Sequence, residues 1–301
     1  MVRVRVPCTT ANMGPGFDVM GAALSLYNET EFEEIDKGVV ILEEGRPKVD
    51  ESPHKNLLYT SYADTLKLCG RPVRGVRITG RERGIPISRG LGSSAACIVA
   101  GILAANRVMK DPLSLDEVIE IATRMEGHPD NVVPALVGGM AVSVSEHGRV
   151  LYAKVPLPES LAFVAIIPSF RLSTKKARKV LPRAHSRADC VHNIGRAALL
   201  VASMASGDLS KLRPATGDRL HQPYRLRLIP GAQQILSTAR ELGSIAEYVS
   251  GAGPTLMALV EGHDKAAGFA SNLNAALSGR PGGWKAIHLR SDLQGARVLD
   301  V

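Results

Sequence analysis

Strands and helices that follow one another without strict β-α alternation predict an α+β fold. Three observations carry this. Residues 2–6 alternate valine with arginine, the period of a half-buried strand. Residues 95–109 are apolar nearly all round, the pattern of a helix enclosed by the rest of the protein. Residues 139–145 and 150–156 flank His147-Gly148, which predicts a hairpin.

The remaining elements follow in order. Pro7 ends the first strand, and 24–27 and 38–42 read as further strands. Leu57, Leu58, Tyr62 and Leu66 give 56–69 helical spacing that stops at Gly70. A strand at 73–79 leads into a glycine-rich stretch, and Asp111-Pro112 breaks the chain after the apolar helix. Ser114 and Glu117 form a capping box for a helix at 115–125 that ends at Gly127. From Phe163 a second unit begins: a strand at 163–167, helices at 174–181, 188–206 and 232–242, and a strand at 245–249. A turn at Gly251-Ala252-Gly253-Pro254, a strand at 255–260, a helix at 265–277 and a strand at 284–289 complete it. Two domains are expected, 1–155 and 156–301, with no internal repeat or low-complexity segment.

With 45% hydrophobic and 22% charged residues, the composition is that of a globular protein with a sizeable core. Lys+Arg outnumber Asp+Glu by 37 to 29, a basic surplus that suits nucleic acid, a membrane surface or anionic small molecules. Only 4% of residues are aromatic, too few for stacking platforms on single-stranded nucleic acid. No apolar run reaches the ~18 residues of a membrane span. The first residues lack the apolar core of a signal peptide. Cys8, Cys69, Cys97 and Cys190 have no metal-ligand spacing, so reduced thiols and a cytoplasmic location are expected.

The strongest signal is the run Pro86, Ile87, Ser88, Arg89, Gly90, Leu91, Gly92, Ser93, Ser94, Ala95 and Ala96. Its glycines allow a tight turn with exposed N–H groups. Its small residues then open a helix whose positive dipole end favours an anion. The hydroxyls of Ser93 and Ser94 can donate to phosphate or ligate magnesium, a hard cation that prefers oxygen. A Walker A loop is excluded, because no lysine lies between Ile85 and Arg107. Gly90, Gly92 and Ala95 match the loose pattern G-x-G-x-x-A, but not in the first βα unit where a dinucleotide fold carries it. The whole run points to a phosphate-binding loop.

The run resembles the central motif of the GHMP kinases, P-x-x-x-G-L-G-S-S-A, with every fixed position present. Further strings narrow the resemblance to the homoserine kinases of that family. Residues 7–18 are similar to P-A-T-S-A-N-L-G-P-G-F-D, departing only at Cys8, Thr10 and Met13, and place Asn12 and Asp18 on a glycine-rich turn. Residues 126–135 are similar to E-G-H-P-D-N-V-A-P-A and bring Glu126, His128, Asp130 and Asn131 together. Residues 172–178 resemble L-S-T-x-x-A-R, with Thr174 and Arg178. Residues 218–225 resemble D-x-x-H-q-p-y-R, ending on Arg225, and 250–255 resemble the third family motif, with Ala252 in place of the common serine.

The resemblance implies an N-terminal domain like ribosomal protein S5 domain 2, a ferredoxin-like C-terminal domain, and a substrate site between them. It implies ATP on the loop and Mg2+ shared by Ser94 and Glu126. The substrate would be L-homoserine, phosphorylated on its hydroxyl on the way to threonine. His128 and Asn131 would line the amino-acid pocket, with Asn131 orienting the hydroxyl. Asp18 is assigned to the ammonium group, Arg178 and Arg225 to the carboxylate, and Asn12 and Thr174 to the pocket wall. Asp130 is expected in a solvated loop, and no residue stands out as a general base. Two rivals stay open: a mevalonate-type kinase, and an RNA-binding role resting on the basic stretch 171–187. The oligomeric state is open too, a homodimer included.

Overall fold

The valine-arginine alternation of the first residues is satisfied by a strand with one face in the core and the other carrying ion pairs. In the computed structural model, which describes residues 1–43, 46–47 and 52–299, this strand is β1 (Val2–Ala11). It is followed by β2 (Met20–Ile35), β3 (Val39–Glu43), β4 (Arg46–Pro47), α1 (Leu57–Leu68), β5 (Gly75–Arg83), α2 (Ser93–Val108), α3 (Leu115–Glu126) and α4 (Pro129–Val137). Then come β6 (Met140–Glu146), β7 (Arg149–Val155), β8 (Leu161–Ile167), α5 (Thr174–Lys179), α6 (Arg187–Ser206), α7 (Leu212–Ala215) and α8 (Gln222–Arg225). The chain closes with α9 (Ala232–Glu241), β9 (Ala246–Val249), β10 (Leu256–Glu261), α10 (His263–Leu277), β11 (Lys285–Leu289) and β12 (Arg297–Leu299).

The first sheet runs β12-β1-β2-β5-β3-β4, with β6 joined to the start of β2 and β7 to β6. β1 does not end at Pro7 but runs to Ala11, its register shifting between Pro7 and Cys8. Three further elements differ from expectation. β2 is 16 residues long rather than the short stretch 24–27. Its acidic half is hidden from pattern reading because Glu31, opposite Arg3 on the ion-pair face, is covered by two cations and left only 4% exposed. Arg3 Nε of β1 lies 2.8 Å and Arg81 Nε of β5 2.6 Å from its carboxylate. Burial raises the Glu31 pKa, but the two guanidiniums outweigh burial and hold it below the ordinary value. The second difference is α4: the polar string at 126–131 opens a helix instead of a solvated loop. The third is β12, which pairs with β1.

The second sheet is antiparallel in the order β11-β8-β10-β9. Helices cross between β8 and β9 and between β10 and β11, the β-α-β-β-α-β arrangement of a ferredoxin-like unit. Its strands are apolar on both faces. Leu161, Phe163 and Ala165 of β8 join the core that also contains Val4, Leu24 and Ile102. Ala162, Val164 and Ile166 face α9 and α10. One layer of core is therefore common to both sheets, and β12 returns the chain to the first. A cut at residue 155 falls in the β7–β8 connection but does not leave 156–301 a closed unit. Residues 44–45, 48–51 and 300–301 of the expected domains lie outside the described residues.

Because Phe163 is fully buried in this common layer, truncating it should be felt by the whole molecule. Phe163→Ala should cost ~3–5 kcal/mol. Fluorescence and circular dichroism should follow one shared denaturation curve. Two separate transitions, with only the later one moved, would contradict a common core.

Candidate active site

The loop between β5 and α2 is shaped by what it touches. Ser88, Gly90 and Gly92 have φ of +56°, +78° and +70°, conformations glycine adopts without penalty. A Cβ on Gly90 would stand 2.3 Å from the Ser250 carbonyl oxygen, and one on Gly92 1.9 Å from Thr9 Oγ1. The loop is thus clamped between the end of β1 and the turn after β9. Ser250 Oγ donates to the Gly90 carbonyl at 2.7 Å, the Thr255 amide to Arg89 O at 3.2 Å, and the Thr9 amide to Leu91 O at 3.2 Å. α2 starts at Ser93, with glycine at the N-cap and no capping side chain. Its first-turn amides, which no helix satisfies internally, open on a cleft of about 320 Å3.

Seven loop residues line that cleft: Ile87, Ser88, Arg89, Gly90, Gly92, Ser93 and Ser94. Pro86 and Ala96 line an adjoining cavity of about 230 Å3. Leu91 and Ala95, expected with the others, are fully buried and pack in the core behind the loop.

Across from the loop, Gly127 at φ +94° ends α3 and turns the chain into α4, with His128 at the N-cap. Ser94 Oγ donates to Glu126 Oε1 at 2.5 Å. Burial pushes the Glu126 carboxyl above the ordinary carboxylate range, against the pull of Ser94 and of the His128 charge. A hydroxyl and a carboxylate that is costly to ionise, side by side at a helix N-terminus, form an oxygen donor set that fits a hard divalent cation. His128 Nδ1 lies 2.6 Å from Asp130 Oδ1. Burial pulls the imidazole pKa down, but the bond and charge of Asp130, with Glu126 and Asp18 nearby, outweigh it and leave the value raised. Asp130 is 2% exposed, so the expectation of a solvated residue is corrected. Asn131 donates Nδ2 to Asp130 at 3.2 Å and accepts at Oδ1 from Thr9 Oγ1 at 2.7 Å. Thr9 therefore fixes which way that amide faces.

The third wall is cationic. Arg178 of α5 grips Asp18 with two hydrogen bonds, Nη2 to Oδ1 at 2.6 Å and Nη1 to Oδ2 at 2.9 Å. Asn12 holds the turn beneath them, donating to Gly251 O at 2.7 Å and accepting from the Asp18 amide at 2.9 Å. Arg225 is 1% exposed, and among the described residues no carboxylate pairs with it. Its Nη1 donates to Gly251 O at 2.9 Å and meets His221 Nδ1 at 3.2 Å. Burial first, and then the like charge of Arg178, bring its pKa down to about 10. The Phe17 ring lies 5.0 Å from the Arg225 guanidinium, 5.4 Å from that of Arg178, and stacks on His221 at 5.3 Å. Thr174, first residue of α5, completes the wall.

Comparison with known proteins bears on this arrangement. The family profile "GHMP kinases N terminal domain" matches residues 56–139, and "GHMP kinases C terminal" matches 199–279. A homoserine kinase of Clostridium kluyveri is 46% identical over 300 residues, covering 100% of this chain and 99% of that protein. One from Clostridium acetobutylicum is 38% identical over 299 residues, covering 99% and 100%. The chain belongs to the homoserine kinases. The crystal structure of homoserine kinase from Cytophaga hutchinsonii superposes with a TM-score of 0.88 at 28% identity, over 99% of this chain and 97% of that one. A mevalonate kinase at 14% identity and TM-score 0.73 shares the fold.

Measured against this homoserine kinase fold, the sequence strings locate most of the cleft but leave out several of its lining and supporting residues. Asn56, which caps α1, and Leu58, Arg83 and Cys97 line the cleft on the far side of the loop. They belong to no contiguous motif, so only the fold assembles them. Thr9 and Phe17 stood in the 7–18 string, but nothing in one dimension separates their contacts from packing. Arg225, which chain position alone allowed on the surface, is interior. His221 is its support. Nε2 lies 2.6 Å from the Gly14 carbonyl and must donate, so Nδ1 is the lone pair that receives Arg225.

That geometry requires neutral His221, and burial brings its pKa from 6.5 down to about 4. The unfolded chain takes up a proton that the folded one refuses. The stability is then complete above pH 6.5 and drains as pH falls toward about 4. Urea unfolding across that window should show the decline, and His221→Gln, less stable at pH 7, should flatten it by up to one proton. An unchanged slope in the variant would remove His221 as its source.

Proposed function

We propose that this cleft transfers the γ-phosphoryl group of ATP to the side-chain hydroxyl of L-homoserine, giving O-phospho-L-homoserine and ADP for threonine biosynthesis. The observation that carries the reading is one cleft with an anion loop on one wall and paired cationic and anionic side chains on another, in a chain 46% identical to a homoserine kinase. The phosphates would lie on the amides of Gly92, Ser93 and Ser94, where the dipole of the 16-residue α2 is positive. Ser94 and Glu126 would hold magnesium, which when bound neutralises charge on the β- and γ-phosphates. Asp18 would take the ammonium group of homoserine, and Arg225 and Arg178 its carboxylate. The Asn131 amide, turned by Thr9, would present Nδ2 to the hydroxyl, with His128 beside it. Positioning and charge neutralisation are the main demands of a loose phosphoryl-transfer transition state, and the reading asks no side chain to remove the proton. A mevalonate-type substrate has no ammonium group and would leave Asp18 without a ligand partner. Four scattered cysteines without metal-ligand spacing suit the reducing cytoplasm.

A coupled ADP-release assay with L-homoserine and Mg-ATP tests the reading directly, with the phosphorylated product identified by mass. No release above the ATP-only background would remove it. Glu126→Gln should lower kcat by orders of magnitude, because it replaces an anionic ligand by a neutral one in a site that must balance phosphate. Wild-type turnover at ordinary magnesium would take Glu126 out of the metal site.

Arg225→Lys keeps a charge but loses the planar fork that matches a carboxylate. Losing a charged hydrogen-bond partner costs ~1.5–3 kcal/mol, which is roughly ten- to a hundredfold in kcat/KM for homoserine. The KM for ATP should stay nearly constant. Equal rises in both KM values would instead indicate a general loss of structure.

A further inference from the structure

The two side chains assigned to opposite ends of the amino acid are bound to each other. Asp18 sits in the turn between β1 and β2, Arg178 160 residues away in α5, and they meet in a two-bond ion pair across the cleft wall. Each is only part-buried, at 31% and 37% exposure, so the pair is open to the cleft and can be exchanged. Arg225, beside them, holds no carboxylate among the described residues.

We infer that the Asp18–Arg178 pair is a specificity gate that only a zwitterion opens without loss. The inference rests on the reading of homoserine as substrate. An α-amino acid brings one cation and one anion, so its entry replaces one ion pair by two. A ligand with an amine and no carboxylate takes Asp18 but strands Arg178. A ligand with a carboxylate and no amine can reach Arg225 but cannot take Arg178 without stranding Asp18. In either case breaking the pair brings no net gain in ion pairs and leaves one charge near a partly dry wall unmatched. The gate thus rejects singly charged alcohols by what they leave behind, in addition to what they fail to contact. Rejection by an unpaired group is the stronger form of discrimination available to a polar site.

The signature that separates a gate from two independent contacts is a gain. In the wild type, 3-amino-1-propanol must break the pair to reach Asp18. In Arg178→Met, Asp18 is already free, so this amine should bind better, although homoserine binds worse. The mirror holds for Asp18→Asn: 4-hydroxybutyrate should bind better because Arg178 is free. Since both side chains are part-exposed, each gain should be modest, roughly three- to tenfold in the inhibition constant measured against homoserine.

The experiment is a set of inhibition constants for both alcohols on wild type, Arg178→Met and Asp18→Asn, with the KM for ATP as the check on folding. Improved amine binding in Arg178→Met, or improved acid binding in Asp18→Asn, supports the gate, and either variant suffices if the other fails to fold. Unchanged or weaker binding of the matching alcohol overturns it, even with homoserine turned over normally by the wild type. Should the wild type not phosphorylate homoserine at all, the proposed function falls first, and the gate with it.

Discussion

A guanidinium enclosed by protein without a carboxylate is the constraint on which the substrate side of this cleft depends. Arg225 is 1% exposed, and an isolated buried charge costs several kcal/mol unless dipoles replace the lost water. Four groups do so here: the Gly251 and Ala177 carbonyls, the Nδ1 lone pair of His221, and the face of Phe17. Two of these have a condition attached. Gly251 O is aimed because Asn12 also holds it. His221 can accept only as the neutral Nε2–H tautomer, which the Gly14 carbonyl selects. The backbone around His221 is held in turn by Asp218, whose carboxylate accepts the amides of Leu220, His221 and Gln222. Remove any one and the charge is left with less than it needs.

The phosphate side is built differently, from backbone rather than charge. Gly90 and Gly92 come so close to Ser250 and Thr9 that no side chain fits at either place. The loop is thereby locked between a strand of the first sheet and a turn of the second. Asn12 and Arg225 both bond Gly251 O, in the same turn that Ser250 anchors to Gly90. Loop and substrate wall therefore share one short segment as their common reference. For a reaction governed by the alignment of a phosphoryl group and a hydroxyl, this common reference is a physical advantage.

What could be read from one dimension divides along the same line. The loop at 86–96, the turn at 7–18 and the string at 126–131 were legible because backbone-built sites need particular small and polar residues in sequence. The hairpin and most helices were legible because their apolar periods are local. Three things were hidden. β2 was masked by acids on its ion-pair face that cross-strand arginines cover. α4 was masked by Pro129, Asp130 and Pro134: as a string they suggest a turn, yet Pro129 opens a helix that holds Pro134 inside it. β12 is three residues long, and its partner lies almost 300 positions away, so no local pattern announces it. The burial of Arg225 belongs with these, since nothing in Pro-Tyr-Arg distinguishes an interior guanidinium from a surface one.

The two arginines of the cleft wall stand in opposite states, and the contrast orders the events of binding under the proposed function. Arg178 is paired with a carboxylate and part-exposed, whereas Arg225 is held by neutral groups and enclosed. Under the proposed function an incoming carboxylate would meet no competing carboxylate at Arg225. The ammonium group would then contest Asp18 with Arg178, and the displaced guanidinium would be left to the carboxylate. A buried unpaired cation next to a paired one is thus more than a pair of binding contacts. Under the proposed function it would let affinity come from one arginine and selectivity from the other.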